Sequence, residues 1–225
     1  MQSRGSMTAP SAAQPGLRER KKRRTRELIA ETARRLFGER GFEGVTVAEI
    51  AHAADVSEKT VFNYFPTKED LVYWRLETFE DELLQAVRGR DPGESVLAAF
   101  GRFVLARRGL LAEPDPDAVE RLAALTRTIL DSPALLAREQ RIFDRYTASL
   151  AALLGEEKRP RDGDIQPWVA ANAMIGVHRA LVDFTRRRIA EGVRNPGLAR
   201  EVRAQGKRAL SALESGLGDY AVKRR

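Results

Sequence analysis

The sequence predicts an all-α protein of about nine helices, and three features of the chain support this prediction. From Leu17 onward, apolar residues recur at spacings of three and four, which is the period of a helix and not of a strand. Alanine, leucine, arginine and glutamate, all strong helix formers, dominate these segments. No pair of alternating segments joined by a tight turn is present, so nothing indicates a β-hairpin.

Glycines and prolines mark the ends of the predicted helices. Gly38 and Gly41 close the first helix, and Pro66 ends a short helix that opens at Ser57. A charged loop is expected at 155–163. In order, the predicted helices are 23–39, 46–54, 57–65, 68–88, 93–108, 116–131, 133–154, 165–191 and 196–216.

Positive charge is concentrated near the start of the chain. The formal net charge is +7, and the segment from Arg18 to Arg26 holds seven basic residues against the single acid Glu19. Such a basic arm favours a polyanionic partner, either nucleic acid or an anionic membrane surface. One candidate function is therefore a basic nucleic-acid or membrane-surface binding protein that acts through the arm alone.

Other functional classes find little support in the sequence. Cysteine is absent, which excludes disulfides, thiolate zinc sites and cysteine nucleophiles. His52 and His178 are too far apart in sequence to suggest a metal cluster, and no Gly-rich phosphate loop or nucleophile elbow is found. We therefore expect no metal, no cofactor and no enzymatic activity. No signal peptide or membrane span is evident, so we expect a cytoplasmic protein without a membrane partner.

The second and third predicted helices have the layout of a helix-turn-helix. Thr46 and Glu49 form a capping-box pattern, Asp55 suits a turn, and Ser57 is a good N-cap. In the third helix, we expect one set of side chains to pack inward and another to face outward. The inward set is Val61, Phe62 and Phe65, and the outward set is Glu58, Lys59, Thr60, Asn63 and Tyr64. These outward residue types can bind bases and phosphates, although a solvated helical corner has the same pattern.

Two stretches of this region carry a specific resemblance. ARRLFGERGF at 33–42 and TVAEIAHAADVSEKTVFNYFPTKEDL at 46–71 resemble the DNA-binding domain of TetR-type transcriptional regulators. The chain departs from the family pattern at Asp55 and Lys59, where glycine is common, and at Phe62, where tyrosine is frequent. The resemblance implies a sequence-specific regulator, most simply a homodimeric repressor of a double-stranded DNA operator.

The resemblance also implies roles for individual residues and a division of the chain. Lys59 and Asn63 are the implied base readers. The implied phosphate contacts and supporting residues are Thr46, Thr60, Tyr64 and Lys68. Beside the resemblance, we expect DNA contacts from the N-cap Ser57 and, because of their charge, from Arg23 and Arg24 of the arm. The domains are then a disordered tail at 1–16, a helix-turn-helix DNA-binding domain with its basic arm at 17–66, and a helical ligand-binding and dimerisation domain at 67–225.

Two stripes of small and apolar residues lie on the last two predicted helices and could form a dimer interface. Small residues in mid-stripe allow close helix approach, and two such helices from each subunit would make a four-helix interface. Alternatively, both stripes bury against their own chain. The predicted interface residues are Ala173, Gly176, Ala180, Val202, Gly206, Ala209 and Leu213.

Apolar residues of the middle helices could line an effector pocket, although such residues also build ordinary cores. Because pockets are mostly apolar with few polar groups, we expect a small hydrophobic or amphipathic effector. The 120–154 region is similar to a subgroup of the family described as binding acyl-CoA-like ligands. The candidate pocket residues are Phe100, Phe103, Leu125, Ile129, Phe143, Tyr146, Met174 and His178.

Overall fold

The computed structural model describes residues 16–106, 116–158, 163–193 and 197–217, and within these ranges it confirms the all-α fold. These ranges hold ten α-helices, one 3-10 turn and no β-strand. The helices are α1 (Leu17–Arg40), α2 (Val47–Ala53), α3 (Glu58–Tyr64), α4 (Asp70–Tyr73), α5 (Glu77–Arg88), α6 (Val96–Val104), α7 (Pro116–Leu130), α8 (Pro133–Lys158), α9 (Gln166–Ala190) and α10 (Gly197–Leu217). The predicted disordered tail lies outside the described residues, apart from Gly16.

Helix α1 is longer than the sequence pattern indicates. It begins at Leu17 and not near residue 23, because the basic run consists of strong helix formers and adds turns to the helix. The Arg20 amide donates to the Gly16 carbonyl over 3.1 Å and closes the first turn. The basic segment is therefore part of a helix, which corrects its interpretation as a separate arm.

The predicted helix 68–88 is divided into α4 and α5 by a 3-10 turn at Trp74–Leu76. The Tyr146 hydroxyl donates to the Leu76 carbonyl over 2.8 Å and ties this turn to α8. Such a tertiary bond cannot be read from a local pattern. Helix α8 also continues to Lys158, through the start of the loop predicted at 155–163, and residues 159–162 lie outside the described residues.

One hydrophobic cluster extends from α1 to α9, with members from Ile29 to Ile175. Buried or half-buried ion pairs accompany it, among them Arg90 with Glu157 at 2.5 Å and Arg186 with Glu139 at 2.5 Å. Because the cluster runs through both predicted domains, the boundary at 66/67 stays a prediction. No described helix is both long and apolar enough to cross a membrane.

Candidate nucleic-acid interface

The start of α2 is fixed by a reciprocal cap between Thr46 and Glu49. The Thr46 amide and hydroxyl donate to Glu49 Oε2 over 2.7 and 2.8 Å, and the Glu49 amide donates to the Thr46 hydroxyl over 3.2 Å. Arg40 donates to the other carboxylate oxygen over 2.8 Å. Hydrogen bonds from Thr46 first, and then from Arg40, lower the pKa of Glu49 to about 2. The predicted capping box is confirmed, and it uses the hydroxyl proton that a phosphate contact at Thr46 would need.

The turn between α2 and α3 closes as a Schellman motif. The Asp55 amide donates to the His52 carbonyl over 3.2 Å, and the Val56 amide donates to the Ala51 carbonyl over 3.0 Å. Asp55 has a φ of +53°, a left-handed conformation that aspartate tolerates better than most residues with a side chain. The expected accommodation of Asp55 in the turn is confirmed, and the turn sets the direction of α3.

Helix α3 is capped at its start and buried along one side. The Thr60 amide donates to the Ser57 hydroxyl over 3.1 Å, and the two hydroxyl oxygens lie 2.8 Å apart. Since one hydroxyl donates to the other, one of the two protons stays available to an outside acceptor. Val61 and Phe65, four residues apart, are buried as predicted.

The inward prediction for Phe62 is wrong. Its side chain is 47% exposed, because it lies about 100° around the helix from Val61. Lys59 precedes Phe62 by three residues and Asn63 by four, so it neighbours both, and the three side chains lie within about 100° of one another around α3. Lys59 and Asn63 are exposed, and Tyr64 is half-buried against the core. We call the exposed face of Lys59, Phe62 and Asn63 the reading face.

Lys68 lies in a different environment from the one that the sequence predicts. Its ammonium donates to the Phe42 carbonyl over 2.6 Å and lies 4.2 Å from the centre of the Phe42 ring and 5.8 Å from that of Phe37. Burial lowers the pKa of Lys68. Lys68 therefore holds the corner that follows α1, and its predicted phosphate contact stays a prediction.

The basic run lies on the first turns of α1. Arg18, Arg20 and the residues 21–24, which include Arg23 and Arg24, are exposed. The Arg26 guanidinium lies 5.3 Å from the centre of the Phe65 ring, at the end of α3. This contact fixes the basic turns relative to the reading face. Arg20 and Arg23 also border a groove of about 640 Å³ that Trp74 and Thr78 help to line.

Hydrogen bonds connect this N-terminal region with α8 and with the junction that precedes it. The Ser132 hydroxyl donates to Glu43 over 2.7 Å, at the junction between α7 and α8. Arg138 donates to Asp70 over 2.6 Å, and the Tyr73 hydroxyl donates to the Leu135 carbonyl over 3.0 Å. The junction before α8 and the first turns of α8 thus contact the corner after α1 and helix α4.

The two predicted interface stripes differ in exposure. On α9, Gly176 and Ala180 are exposed and Ala173 is half-buried. On α10, Val202 and Gly206 are buried in their own chain, which corrects their assignment to an interface. A Cβ atom on Gly206 would lie only 2.5 Å from Leu105 Cδ2, so this glycine serves close packing within the chain.

The rest of the α10 stripe follows the same pattern. Ala209 and Leu213 are half-buried against the intrachain core. The exposed apolar surface lies instead at the start of α9, where Ile165, Trp168 and Val169 are 69%, 52% and 54% exposed. None of these three residues is among the predicted interface residues, because they precede the stripe of small residues.

Four candidate pocket residues come together around Phe79, which the sequence analysis missed. The Phe79 ring stacks on His178 with a centroid separation of 4.6 Å and on Tyr146 at 5.1 Å, and it contacts Phe103 edge-on at 5.2 Å. Phe143 approaches His178 at 5.8 Å. Burial lowers the pKa of His178 to about 4. The remaining candidates, Phe100, Leu125, Ile129 and Met174, belong to the wider hydrophobic cluster.

Among the described residues, no group of three or more His, Cys, Asp or Glu side chains could hold a metal ion.

The reading face and the first turns of α1 together present hydrogen-bond donors, one exposed aromatic ring and several positive charges.

Comparison with known proteins gives both sequence and structural relatives. A family described as "Bacterial regulatory proteins, tetR family" matches residues 29–73. The HTH-type transcriptional regulator TcmR of Streptomyces glaucescens is 31% identical over 156 residues, which cover 68% of this chain and 69% of the relative.

Two solved structures share the fold. FadR of Bacillus subtilis, in complex with stearoyl-CoA, aligns with a TM-score of 0.52 and 21% identity over 84% of this chain and 98% of its own. NalD, the secondary repressor of the MexAB-OprM multidrug efflux pump in Pseudomonas aeruginosa, aligns with a TM-score of 0.52 and 18% identity over 88% and 98%.

Proposed function

The chain belongs to the TetR family of bacterial regulatory proteins, and from this membership we propose that it is a homodimeric repressor. In this proposal it acts in the cytoplasm on a palindromic DNA operator. A small hydrophobic or amphipathic effector releases it from that operator.

The observation that carries the proposal is the exposed reading face on a firmly held α3. A lysine ammonium can donate to the O6 and N7 acceptors of guanine, and an asparagine amide can pair with the N6 and N7 edge of adenine. Lys59 and Asn63 supply these two groups one turn apart. The Ser57 cap and the turn at Asp55 hold their helix in one direction, as a helix that reads the major groove requires.

Selection of bound sequences from a pool of random duplexes tests this assignment. The wild-type protein should select one motif, while Lys59→Ala and Asn63→Ala should each relax the preference at separate base pairs. Lys207→Ala changes an exposed lysine of α10 and serves as the matched control, so it should select the wild-type motif. If the wild type binds DNA but selects no motif, the alternative function through the basic run replaces the proposal.

The exposed apolar start of α9 supports the dimeric part of the proposal. Ile165, Trp168 and Val169 form a patch on one end of the helix, and Gly176 and Ala180 continue along it. Three neighbouring apolar side chains that are each more than half exposed favour burial of this surface against a second copy. Two-fold symmetry would place the same face on both subunits. A two-fold symmetric protein pairs with a palindromic operator.

Sedimentation of charge variants tests the interface. Trp168→Glu should shift the protein towards the monomer, since it places a carboxylate in the apolar patch. Leu130→Glu, at a residue of α7 that is 52% exposed, is the matched control and should sediment as the wild type does. A dimer that survives Trp168→Glu and Val169→Glu together would refute this interface.

The aromatic cluster around Phe79 supports an apolar effector site in the middle helices. The FadR structure contains stearoyl-CoA, and region 120–154 resembles the acyl-CoA-like subgroup, so stearoyl-CoA is a suitable probe. A ligand at 100 times its Kd stabilises the folded protein by about 2.7 kcal/mol. Stearoyl-CoA should therefore raise the melting temperature of the protein and release it from the operator. If stearoyl-CoA does neither, the effector does not belong to the acyl-CoA class.

The contacts with α8 and with the junction before it suggest how a shift of helices around a bound effector is transmitted to the DNA-binding helices. Because Ser132 bonds Glu43 and Arg138 bonds Asp70, a displacement of α8 would move both the corner after α1 and the start of α4. Ser132→Ala removes one of these bonds while leaving the reading face intact. This variant should bind the operator with wild-type affinity, but more effector should be needed to release it. If the same effector concentration releases both proteins, the Ser132–Glu43 bond does not transmit the effect of the ligand.

A further inference from the structure

The reading face contains a group that hydrogen bonding to bases does not explain. The Phe62 ring is 47% exposed, whereas its neighbours on the inner side of α3, Val61 and Phe65, are 1% and 0% exposed. Phe62 is also absent from the hydrophobic clusters of the fold. Its aromatic ring therefore contributes little to the packing of this chain.

The position of Phe62 distinguishes it from an ordinary exposed apolar residue. Single exposed apolar side chains are common on protein surfaces. Phe62, however, lies three residues after Lys59, which itself lies four residues before Asn63, so the exposed ring is on the side of α3 that carries the two candidate base readers. Any DNA that meets those two side chains also meets the phenyl ring.

The chemistry of the ring selects its partner within the major groove. A phenyl group offers neither a hydrogen-bond donor nor an acceptor, so it cannot satisfy the polar edges of guanine, cytosine or adenine. The apolar group that a base pair exposes in the major groove is the C5-methyl of thymine. From this geometry we propose that Phe62 reads a thymine methyl group in each operator half-site, an inference that rests on the proposed function.

The expected effect follows from the burial of one methyl group. Removing one buried methyl or methylene weakens binding by about fourfold, and two equivalent half-sites multiply this to about fifteenfold. The effect should depend on the methyl group alone, because Lys59 and Asn63 make the polar contacts.

Replacement of thymine by deoxyuridine tests this inference, since it removes the methyl group and leaves the hydrogen-bonding edges unchanged. Each thymine of the selected operator is replaced in both half-sites, and the Kd is measured at one salt concentration for wild type, Phe62→Ala, Phe62→Leu and Leu136→Ala. Leu136 is 40% exposed on α8 and is the matched control for loss of an exposed apolar side chain. Thermal melts establish that each variant is folded.

One thymine position should lose about fifteenfold in affinity with the wild type and with Leu136→Ala, and Phe62→Ala should abolish this sensitivity. Phe62→Leu should retain part of it. If the wild type binds the operator equally well with deoxyuridine at every position, or if Phe62→Ala keeps the sensitivity, the inference is refuted while the proposed function stands. If the wild type selects no operator, the proposed function fails and this inference fails with it.

Discussion

Lys59 and Lys68 are nine positions apart, and exchange of each for alanine should have opposite consequences. Lys59 is exposed on the reading face, whereas the Lys68 ammonium is turned towards the Phe42 carbonyl and ring. We expect Lys59→Ala to change base preference without changing stability. We expect Lys68→Ala to change stability without changing base preference.

The magnitudes follow from these contacts. A hydrogen bond from a charged donor contributes about 1.5–3 kcal/mol and a cation–π contact about 0.5–2 kcal/mol, and the half-buried position of Lys68 favours the lower values. A loss of about 2 kcal/mol corresponds to a fall in melting temperature of roughly 4–8 °C for a chain of this size. Lys59→Ala should alter stability by less than about 0.5 kcal/mol, but should cost about 1–3 kcal/mol, or 5- to 150-fold, at the base it contacts.

Two assays separate these outcomes. Thermal melts report the stability of each variant, and fluorescence anisotropy reports its affinity for the operator and for every single-base variant at one salt concentration. Lys68→Met keeps most of the apolar stem and should recover only the packing part of the loss. If Lys68→Ala melts as the wild type does and relaxes base preference, the roles of the two lysines are assigned the wrong way round.

Three further predictions concern charge, the turn and pH. Joint Arg20→Gln and Arg23→Gln exchange should flatten the slope of log affinity against log salt by about 0.9 for each phosphate that the protein no longer neutralises, and an unchanged slope would show that the basic turns do not meet DNA. Asp55→Gly should leave stability in urea unchanged or raise it by up to about 1 kcal/mol, and Asp55→Val should lower it, because only the former suits a φ of +53°. Since burial lowers the pKa of His178 to about 4, the unfolded chain binds the proton first as the pH falls below about 6.5. Stability should therefore decline between these two pH values in urea titrations, and His178→Phe should remove that part of the decline.

Local signals in the sequence predicted the local features of the site. The Thr46–Glu49 cap, the Ser57 cap and the turn at Asp55 each depend on residues within five positions of one another, and all three are confirmed. The all-helical fold was also predictable, because helical periodicity and composition agree along the chain. The length of α1 was not predictable from charge alone. The basic run has the charge of a flexible arm but the composition of a helix.

Features that depend on distant parts of the chain could not be predicted in this way. Lys68 is turned inward by Phe42, which lies 26 residues earlier, and Gly206 is buried by Leu105 and Leu181. No periodic pattern contains these pairings. Phe62 was placed inside because aromatic residues usually pack, although the 100° step from Val61 places it outside. The sequence therefore predicts the helices and caps of this region more reliably than the environment of each side chain.

The central claim, that two copies of this chain read a two-fold symmetric operator through α3, is tested most directly by one footprinting measurement. Hydroxyl-radical footprinting on the selected operator, with the stoichiometry of the same complex measured by sedimentation, reports the number of copies and the spacing of their contacts. We predict two copies bound to a palindrome, with backbone protection in two symmetric segments that flank the contacted major grooves and whose centres lie about 34 Å apart. A single protected segment with one copy bound, or protection that does not depend on the DNA sequence, would contradict this claim.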